Sequence, residues 1–251
     1  MEFYILLFSF FFIALIYSSV GFGGGSSYLA LLALPIFALA FPVIRSTALF
    51  CNIIVVTGGV IIFYKEGKIF LREIWPYFVS SIPMAFIGGF WPIKENTFFI
   101  LLGFTLLVVP FLLWFQPEDI ANDKEPIVTE SNVVKITLGS VIGLLSGLVG
   151  IGGGIFLSPI LHIFRWSDAK RISALASVFI LVNSIGGLAG QFNRGVPDLN
   201  WKLVLPLLIA VFVGGQIGSR LGAQQFNPLY IKRITAVVIL VAGLNILKDH
   251  I

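Results

Sequence analysis

The sequence predicts an all-α polytopic membrane protein of two inverted repeats, each a glycine-broken helical hairpin plus three transmembrane helices. The 251-residue chain has a mean hydropathy of +1.01 and only 11 % charged residues, whereas a soluble domain carries about 25 %. Apolar stretches of membrane-spanning length recur from end to end, and the same glycine motifs occur in both halves. A soluble enzyme, a nucleic-acid-binding domain and a disordered protein are therefore excluded.

The elements follow from apolar stretches that charged residues separate. The first half contains stretches at 3–20, 26–41, 46–63, 74–91 and 97–115, and the second half contains stretches at 135–149, 155–164, 172–192, 202–219 and 231–247. A helix of 18 residues is about 27 Å long, which is enough to cross the hydrocarbon core. The stretch 155–164 spans only about 15 Å and is expected to reach the middle. We therefore predict a first transmembrane repeat at 1–115, a cytoplasmic linker at 116–134 and a second transmembrane repeat at 135–251.

The two halves repeat four motifs in the same order and at nearly the same spacing. The cluster Gly21-Phe22-Gly23-Gly24-Gly25 returns as Gly150-Ile151-Gly152-Gly153-Gly154, and Arg45-Ser46-Thr47-Ala48-Leu49 returns as Arg171-Ile172-Ser173-Ala174-Leu175. The pairs Gly58-Gly59 and Gly88-Gly89 return as Gly186-Gly187 and Gly214-Gly215. Duplicated halves are a common construction of secondary transporters.

The distribution of lysine and arginine predicts that the repeats are inverted. If the first two stretches of each half enter the membrane and return to the same side, one side receives 11 of the 16 basic residues and the other receives 5. If those stretches count as a single crossing, the split is 8 against 8. The positive-inside rule favours the uneven split, which places the linker in the cytoplasm and both termini outside.

Each G-x-G-G-G cluster has two interpretations. The small-xxx-small spacing favours close helix packing. Consecutive glycines also favour a helix break, because each costs about 1 kcal/mol relative to alanine in a helix interior. A break at membrane depth is tolerated where it is buried in protein or lines a cavity, and the freed N–H groups of the next helix attract anions. We therefore expect an anion site built from Gly21, Gly23, Gly24, Gly25, Gly150, Gly152, Gly153 and Gly154.

Polar side chains within the stretches suit an anion better than a cation. All 12 acidic residues fall outside the stretches or at their edges, so no carboxylate is available for a cation cage. The candidate anion ligands are hydroxyls, amides and arginines: Ser26, Ser27, Arg45, Thr47, Asn52, Arg171, Ser173, Ser177 and Asn183, with Ser18, Ser19 and Gln191 as further polar residues. The alternative is that such groups hydrogen-bond neighbouring helices.

Two further expectations concern charge. Arg45 and Arg171 begin the third stretch of each half, so they predict a symmetric pair that either holds an oxyanion at each mouth or anchors helix ends at the headgroups. His162, near the second glycine cluster, either titrates near neutral pH to couple proton movement or is an ordinary interfacial histidine.

These motifs resemble the TauE/SafE family of sulfite and organosulfonate exporters. The resemblance rests on one G-x-G-G-G cluster per half, on Pro35 and Pro159 a short distance further on, and on the Arg-x-Ser/Thr-Ala-Leu helix after each. It covers nearly the whole chain. It implies export of a small sulfur-containing anion across a bacterial inner membrane, and it does not identify the anion.

Residues and resemblance together predict a secondary transporter that exports sulfite or a short organosulfonate by alternating access. Coupling to H+ or Na+ and a uniporter driven by the membrane potential are equally compatible with the sequence. The alternatives are an anion channel with the same pore residues and a membrane enzyme or accessory subunit. The chain has no H-E-x-x-H or G-x-S-x-G motif and no Cys/His cluster, so we expect no catalytic residues, no metal and no cofactor.

Overall fold

The computed structural model describes residues 2–19, 21–69, 71–114, 131–164 and 166–222, together with 236–237, 240–241 and 243–248. All regular structure in these ranges is helical. The named helices are α1 (Glu2–Ser19), α2 (Gly25–Leu32), α3 (Phe41–Lys65), α4 (Leu71–Phe90), α5 (Glu95–Trp114), α6 (Asn132–Val149), α7 (Gly154–Ile163), α8 (Ala169–Arg194) and α9 (Trp201–Gly222). Residues 116–130 of the predicted linker and 231–235 of the last predicted stretch lie outside the described residues.

Five helices of the described chain are long and apolar enough to cross a membrane, which confirms the prediction of a polytopic membrane protein. They are Glu2–Ser19, Phe41–Lys65, Asn132–Val149, Lys170–Arg194 and Trp201–Leu221, and shorter apolar helices occupy Ile74–Phe90, Glu95–Val108 and Gly154–Ile163. Large apolar side chains also point away from the protein, such as Phe12 at 54 % and Phe111 at 60 % exposure. Such a surface is suited to lipid, since soluble proteins rarely expose large apolar patches.

The predicted stretch 26–41 is not a single helix. α2 ends at Leu32 and α3 begins at Phe41, with a 3₁₀ turn between them that starts at Pro35. Leu34 adopts the extended conformation that a following proline favours, and Pro35 has no N–H to donate, so the helix ends before this proline. Because α3 begins earlier than the predicted stretch, Arg45 lies inside this helix rather than at its start.

α2 folds back on α1, so the two helices form a hairpin around the first glycine cluster. The rings of Phe10 and Tyr28 stack with their centroids 4.7 Å apart, although the two residues belong to different helices on either side of the cluster. Nearer the turn, the hydroxyls of Tyr17 and Ser27 lie 2.7 Å apart in a hydrogen bond. A helix that continued in the direction of α1 would place Tyr28 about 27 Å from Phe10.

The two longest helices, α3 and α8, cross the centre of the protein and run antiparallel. The Ser46 hydroxyl near the start of α3 donates to the Gln191 side-chain carbonyl near the end of α8, at 2.7 Å. Further along α3, Gly59 faces Ser177, which lies in the first half of α8. Corresponding helices of the two halves are thus paired head to tail.

Helices from opposite halves also interlock at glycine seams. An ideal Cβ built on Gly143 of α6 would lie 2.7 Å from Ser81 Cα of α4, and one on Gly214 of α9 would lie 3.1 Å from Ala14 Cβ of α1. Contacts this close hold backbone against backbone, as small residues do in membrane helix pairs. α1 and α4 of the first half therefore pack against α9 and α6 of the second half.

Candidate functional site: the glycine junction

Two glycine loops meet beside the midpoints of α3 and α8. The first glycine loop, residues 21–24, joins α1 to α2, and the second glycine loop, residues 150–153, joins α6 to α7. Gly24 and Gly153 are the residues before the short helices and adopt φ of 81° in both cases. This left-handed region is open to glycine and strained for other residues. Both loops therefore depend on glycine for their shape.

Asn52 of α3 lies between the two loops and is fully buried. Its Nδ2 donates to the Ile151 carbonyl of the second glycine loop at 3.0 Å. Its side chain also packs against the Cα atoms of Gly23 and Gly25, where a Cβ atom would collide with the carboxamide. The asparagine thus fills the space that the missing side chains of the first cluster leave, and it bridges the halves.

Ile180 of α8 occupies the matching position on the opposite side. An ideal Cβ on Gly152 would lie 2.8 Å from Ile180 Cγ2, and one on Gly23 would lie 3.2 Å from it. Asn52 and Ile180 are separated along the chain by the same offset as Gly58-Gly59 and Gly186-Gly187. The two loops together with Asn52 and Ile180 are here called the glycine junction.

The same offset matches Arg45 with Ser173, and not with Arg171. An ideal Cβ on Gly150 would lie 3.6 Å from Arg45 Cβ, and one on Gly21 would lie 2.7 Å from Ser173 Cβ. Each of these two side chains therefore packs on the first glycine of the other half's loop. The expectation of a symmetric arginine pair is corrected accordingly: the residue paired with Arg45 in space is a serine.

Arg171 lies at the start of α8 and is half-exposed, in contrast to Arg45, which is 2 % exposed. Asp168 caps the helix by accepting the Arg171 backbone N–H at 3.0 Å, and its other oxygen lies 3.6 Å from Arg171 Nε. The reason for the mismatch is the place of each arginine along its helix: Arg45 is the fifth residue of α3, whereas Arg171 is the third residue of α8.

Ser177 holds the first glycine loop from the side of α8. Its hydroxyl lies 3.0 Å from the Gly21 carbonyl and 2.9 Å from the Ser173 carbonyl of its own helix. A hydroxyl has one proton, so Ser177 donates to one of these carbonyls at a time. Asn52 of the first half therefore bonds the second glycine loop, and Ser177 of the second half bonds the first glycine loop.

The junction supplies hydrogen-bond donors without partners in the described part of the chain. α2 and α7 both begin here, and the first N–H groups of a helix have no intrahelical acceptor. Three buried hydroxyls around the loops also lack a partner in the described ranges: Ser26 Oγ, Ser146 Oγ and Ser184 Oγ. Helix N-termini carry positive partial charge, so these donors suit an anion.

The space between the loops is small. A void of about 10 Å³ is lined by the first glycine cluster with Tyr17, Ile151, Ile155 and Ile180, and it has room for about one water. A larger cavity of about 1060 Å³ lies between α1, α2 and α5. Ser26 lines both spaces, so this residue lies between the cavity and the junction.

The remaining predicted residues are held more locally. Asn183 Nδ2 donates to the Phe179 carbonyl one turn back at 2.9 Å, and Thr47 is buried, with a hydroxyl that has no partner among the described residues. Ser18 and Ser19 donate to carbonyls one turn earlier in α1. His162 Nδ1 lies 2.8 Å from the Ser158 carbonyl within α7.

Sequence reasoning missed Ile180 and Ser184, although both contact Gly152. The offset between the paired glycines of α3 and α8 is the signal that identifies this part of α8, because it aligns Asn52 with Ile180. No group of three or more His, Cys, Asp or Glu that could hold a metal ion is found in the described ranges.

Comparison with known proteins identifies membrane transporters as relatives of this chain. A profile of the family described as "Sulfite exporter TauE/SafE" matches residues 6–246. The chain is 33 % identical to "Probable membrane transporter protein y4hK" of Sinorhizobium fredii, over 96 % of this chain and 97 % of that protein. It is 24 % identical to "Probable membrane transporter protein YdhB" of Bacillus subtilis, over 86 % and 87 %. No solved structure gave a significant match.

Proposed function

Because the chain belongs to the sulfite exporter TauE/SafE family, we propose that it is a secondary transporter that exports a small sulfur-containing anion, either sulfite or a short organosulfonate. The anion binds at the glycine junction, and the two halves rock to expose this site alternately. The observation that carries the proposal is the convergence of two helix N-termini on buried hydroxyls without partners among the described residues.

The chemistry of the junction suits an oxyanion. Sulfite and sulfonate oxygens accept hydrogen bonds, and the junction offers the free N–H groups of α2 and α7 beside the Ser26 and Ser184 hydroxyls. The glycines of the first loop let Asn52 pack directly on the backbone, since any side chain at Gly23 or Gly25 would collide with it. Backbone donors aimed into a site from which water is excluded bind an anion without a cation of their own.

Inverted repeats and alternating access are supported by three features. The corresponding helices α3 and α8 run antiparallel, as halves related by an axis in the membrane plane must. The void between the loops is about 10 Å³, so an anion larger than water enters only when the loops separate. The excess of basic residues on one side supports a cytoplasmic linker and outside termini in a bacterial inner membrane.

The first test is efflux of radiolabelled sulfite from proteoliposomes, with and without imposed pH and Na+ gradients. We expect saturable efflux that other sulfur oxyanions compete for. Acceleration by one gradient would identify H+ or Na+ as the coupling ion, while a response to membrane potential alone would identify a uniporter. Unsaturable flux at channel rates would contradict the carrier mechanism.

The second test replaces the glycines with φ of 81°. Gly24→Ala places a Cβ 2.9 Å from Ile13, and Gly153→Ala places one 2.9 Å from Phe179. Strain in the left-handed region adds about 1–2 kcal/mol, so we expect sulfite efflux to fall about tenfold or more. Gly67→Ala is the matched control, because Gly67 has φ of 66° with no atom within 4 Å. Efflux unchanged in both loop variants would contradict the assignment of the site.

A further inference from the structure

Arg45 is a buried cation without a carboxylate partner in the described chain. It lies inside α3 at 2 % exposure, and the one ion pair found in the described ranges joins Arg171 to Asp168. A charge inside a membrane protein is expensive, and such residues pair with an opposite charge or with carbonyls. Arg45 therefore needs a partner that compensates its charge.

Part of the charge is balanced by the end of α6. Arg45 Nη2 donates to the Gly147 carbonyl at 2.8 Å, and Gly147 lies in the last turn of α6, whose carbonyls lack helical partners. The C-terminal end of a helix carries about half a negative elementary charge. The guanidinium also lies 5.9 Å from the centre of the Phe98 ring. Arg45 Nε has no acceptor among the described residues, so a donor and part of the charge are left over.

A second buried donor without a partner belongs to the residue that bonds Ser46, the neighbour of Arg45 in the chain. Gln191 of α8 is 6 % exposed and accepts the Ser46 hydroxyl through its carbonyl oxygen at 2.7 Å. Its Nε2 group has no acceptor in the part of the chain that is described. Arg194, one turn further along α8, repels Arg45 electrostatically. Two buried N–H donors, Arg45 Nε and Gln191 Nε2, thus lack an acceptor in the described ranges, and two positive charges lie where the start of α3 meets the end of α8.

We propose that Arg45 and Gln191 form a second anion-binding site, here called the Arg45 station, which takes a small monovalent oxyanion before or after it occupies the glycine junction. Arg45 packs on Gly150, so the station adjoins the second glycine loop. Ser173 stands at the matching place beside the first loop, and the station therefore exists on one side only. Its part in transport rests on the proposed function, whereas its binding of an anion stands on the geometry alone.

The test measures sulfite-dependent thermal stabilisation of the full-length purified protein in detergent, with sodium chloride at equal ionic strength as reference. A ligand that binds the folded state raises the unfolding midpoint as its concentration exceeds the dissociation constant. We expect Arg45→Gln to weaken the apparent sulfite affinity about tenfold or more. Arg171→Gln removes an arginine at the exposed start of α8 and is expected to leave the affinity unchanged.

A second variant separates binding from folding. Gln191→Leu keeps the charge of Arg45 and removes one donor, so we expect a several-fold loss of sulfite affinity in a folded protein. Should Arg45→Gln fail to fold, Arg45→Lys keeps the charge without the planar fork and is expected to weaken the affinity to an intermediate extent. Sulfite affinity unchanged in the folded Arg45 and Gln191 variants would overturn the station. The station would also be overturned if Arg45→Gln lowered the unfolding midpoint by the same amount with and without sulfite.

The two proposals fail in different ways. If wild-type proteoliposomes release no sulfite but Arg45→Gln still abolishes sulfite stabilisation, the transport function is wrong and the station stands. If efflux is normal and the Arg45 variant binds sulfite as the wild type does, the station is wrong and the transport function stands. Gly24→Ala, which alters the junction, is expected to retain stabilisation through Arg45. If this variant folds normally and loses that stabilisation, both effects belong to one site and a separate station is wrong.

Discussion

At the scale of single residues, Asn52 has the most connected position at the junction. Its carboxamide donates to the second glycine loop and packs against the first. It is fully buried, and its Oδ1 atom has no partner among the described residues. Because the matching residue is Ile180, only one half can make this connection.

We expect Asn52→Ala to destabilise the protein by about 1–3 kcal/mol, because the buried Ile151 carbonyl loses its donor. The measurement is the unfolding midpoint in detergent without added anion. Asn183→Ala is the matched control: this amide is equally buried, but it bonds the Phe179 carbonyl within its own helix. That carbonyl keeps its helical N–H, so a smaller loss is expected. Equal losses in the two variants would contradict a bridging role for Asn52.

At the scale of elements, the glycine seams determine how closely the halves approach. Gly143 and Gly147 of α6 face Ser81 and Ala85 of α4 with no room for a Cβ atom between the backbones. Lipid tails are as apolar as leucine, so helix association in a membrane depends on such close packing. The seams therefore hold the interlocked helices in register around the junction.

Gly143→Leu is expected to separate α4 from α6 and to cost about 1–3 kcal/mol or more, as overpacking does in tightly packed interiors. The readout is the yield of monodisperse protein and its unfolding midpoint. Val141→Leu adds bulk to the same helix at a side chain that is 54 % exposed, and it should be tolerated. A stable Gly143→Leu protein would show that the seam is looser than its geometry indicates.

At the scale of the whole molecule, the direction of each helix relative to its neighbours predicts which charges share a side. α3 and α8 run antiparallel, so Lys65 at the end of α3 lies on the same side as Lys170 at the start of α8. Lys94, before α5, and Lys202, at the start of α9, are predicted on the other side. The native Cys51 is buried, which leaves the surface free for single-cysteine probes.

We expect Lys94→Cys and Lys202→Cys to react with a membrane-impermeant maleimide added to intact cells. Lys65→Cys and Lys170→Cys should react only after the cells are permeabilised, because the more basic side faces the cytoplasm. The wild-type protein, with Cys51 alone, serves as the unlabelled control. Labelling of the two members of either pair from opposite sides would contradict the inverted arrangement.

Much of this architecture is predictable because it is encoded locally. Apolar stretches identify the spanning helices, and consecutive glycines identify both loops. The polar contacts at the junction are harder to predict, since they depend on the register of α3 and α8 against the loops. The motif around Arg45 resembles that around Arg171, and this local likeness suggested a matched pair. Arg45 and Ser173 are each the fifth residue of their helix, so packing matches Arg45 with Ser173 instead.

The unequal residues at matched positions also have a consequence for how the two sides of the membrane would differ in transport. One end of the path carries an arginine beside its glycine loop, and the other end carries a serine. The proposed carrier would therefore half-saturate at different anion concentrations on its two faces. Detailed balance nonetheless requires forward and reverse flux to cancel when the anion is at electrochemical equilibrium, whatever the affinity on each side. In the proposed carrier, this asymmetry would set the concentrations at which the site fills and empties, while ion gradients and membrane voltage would determine which way the anion moves.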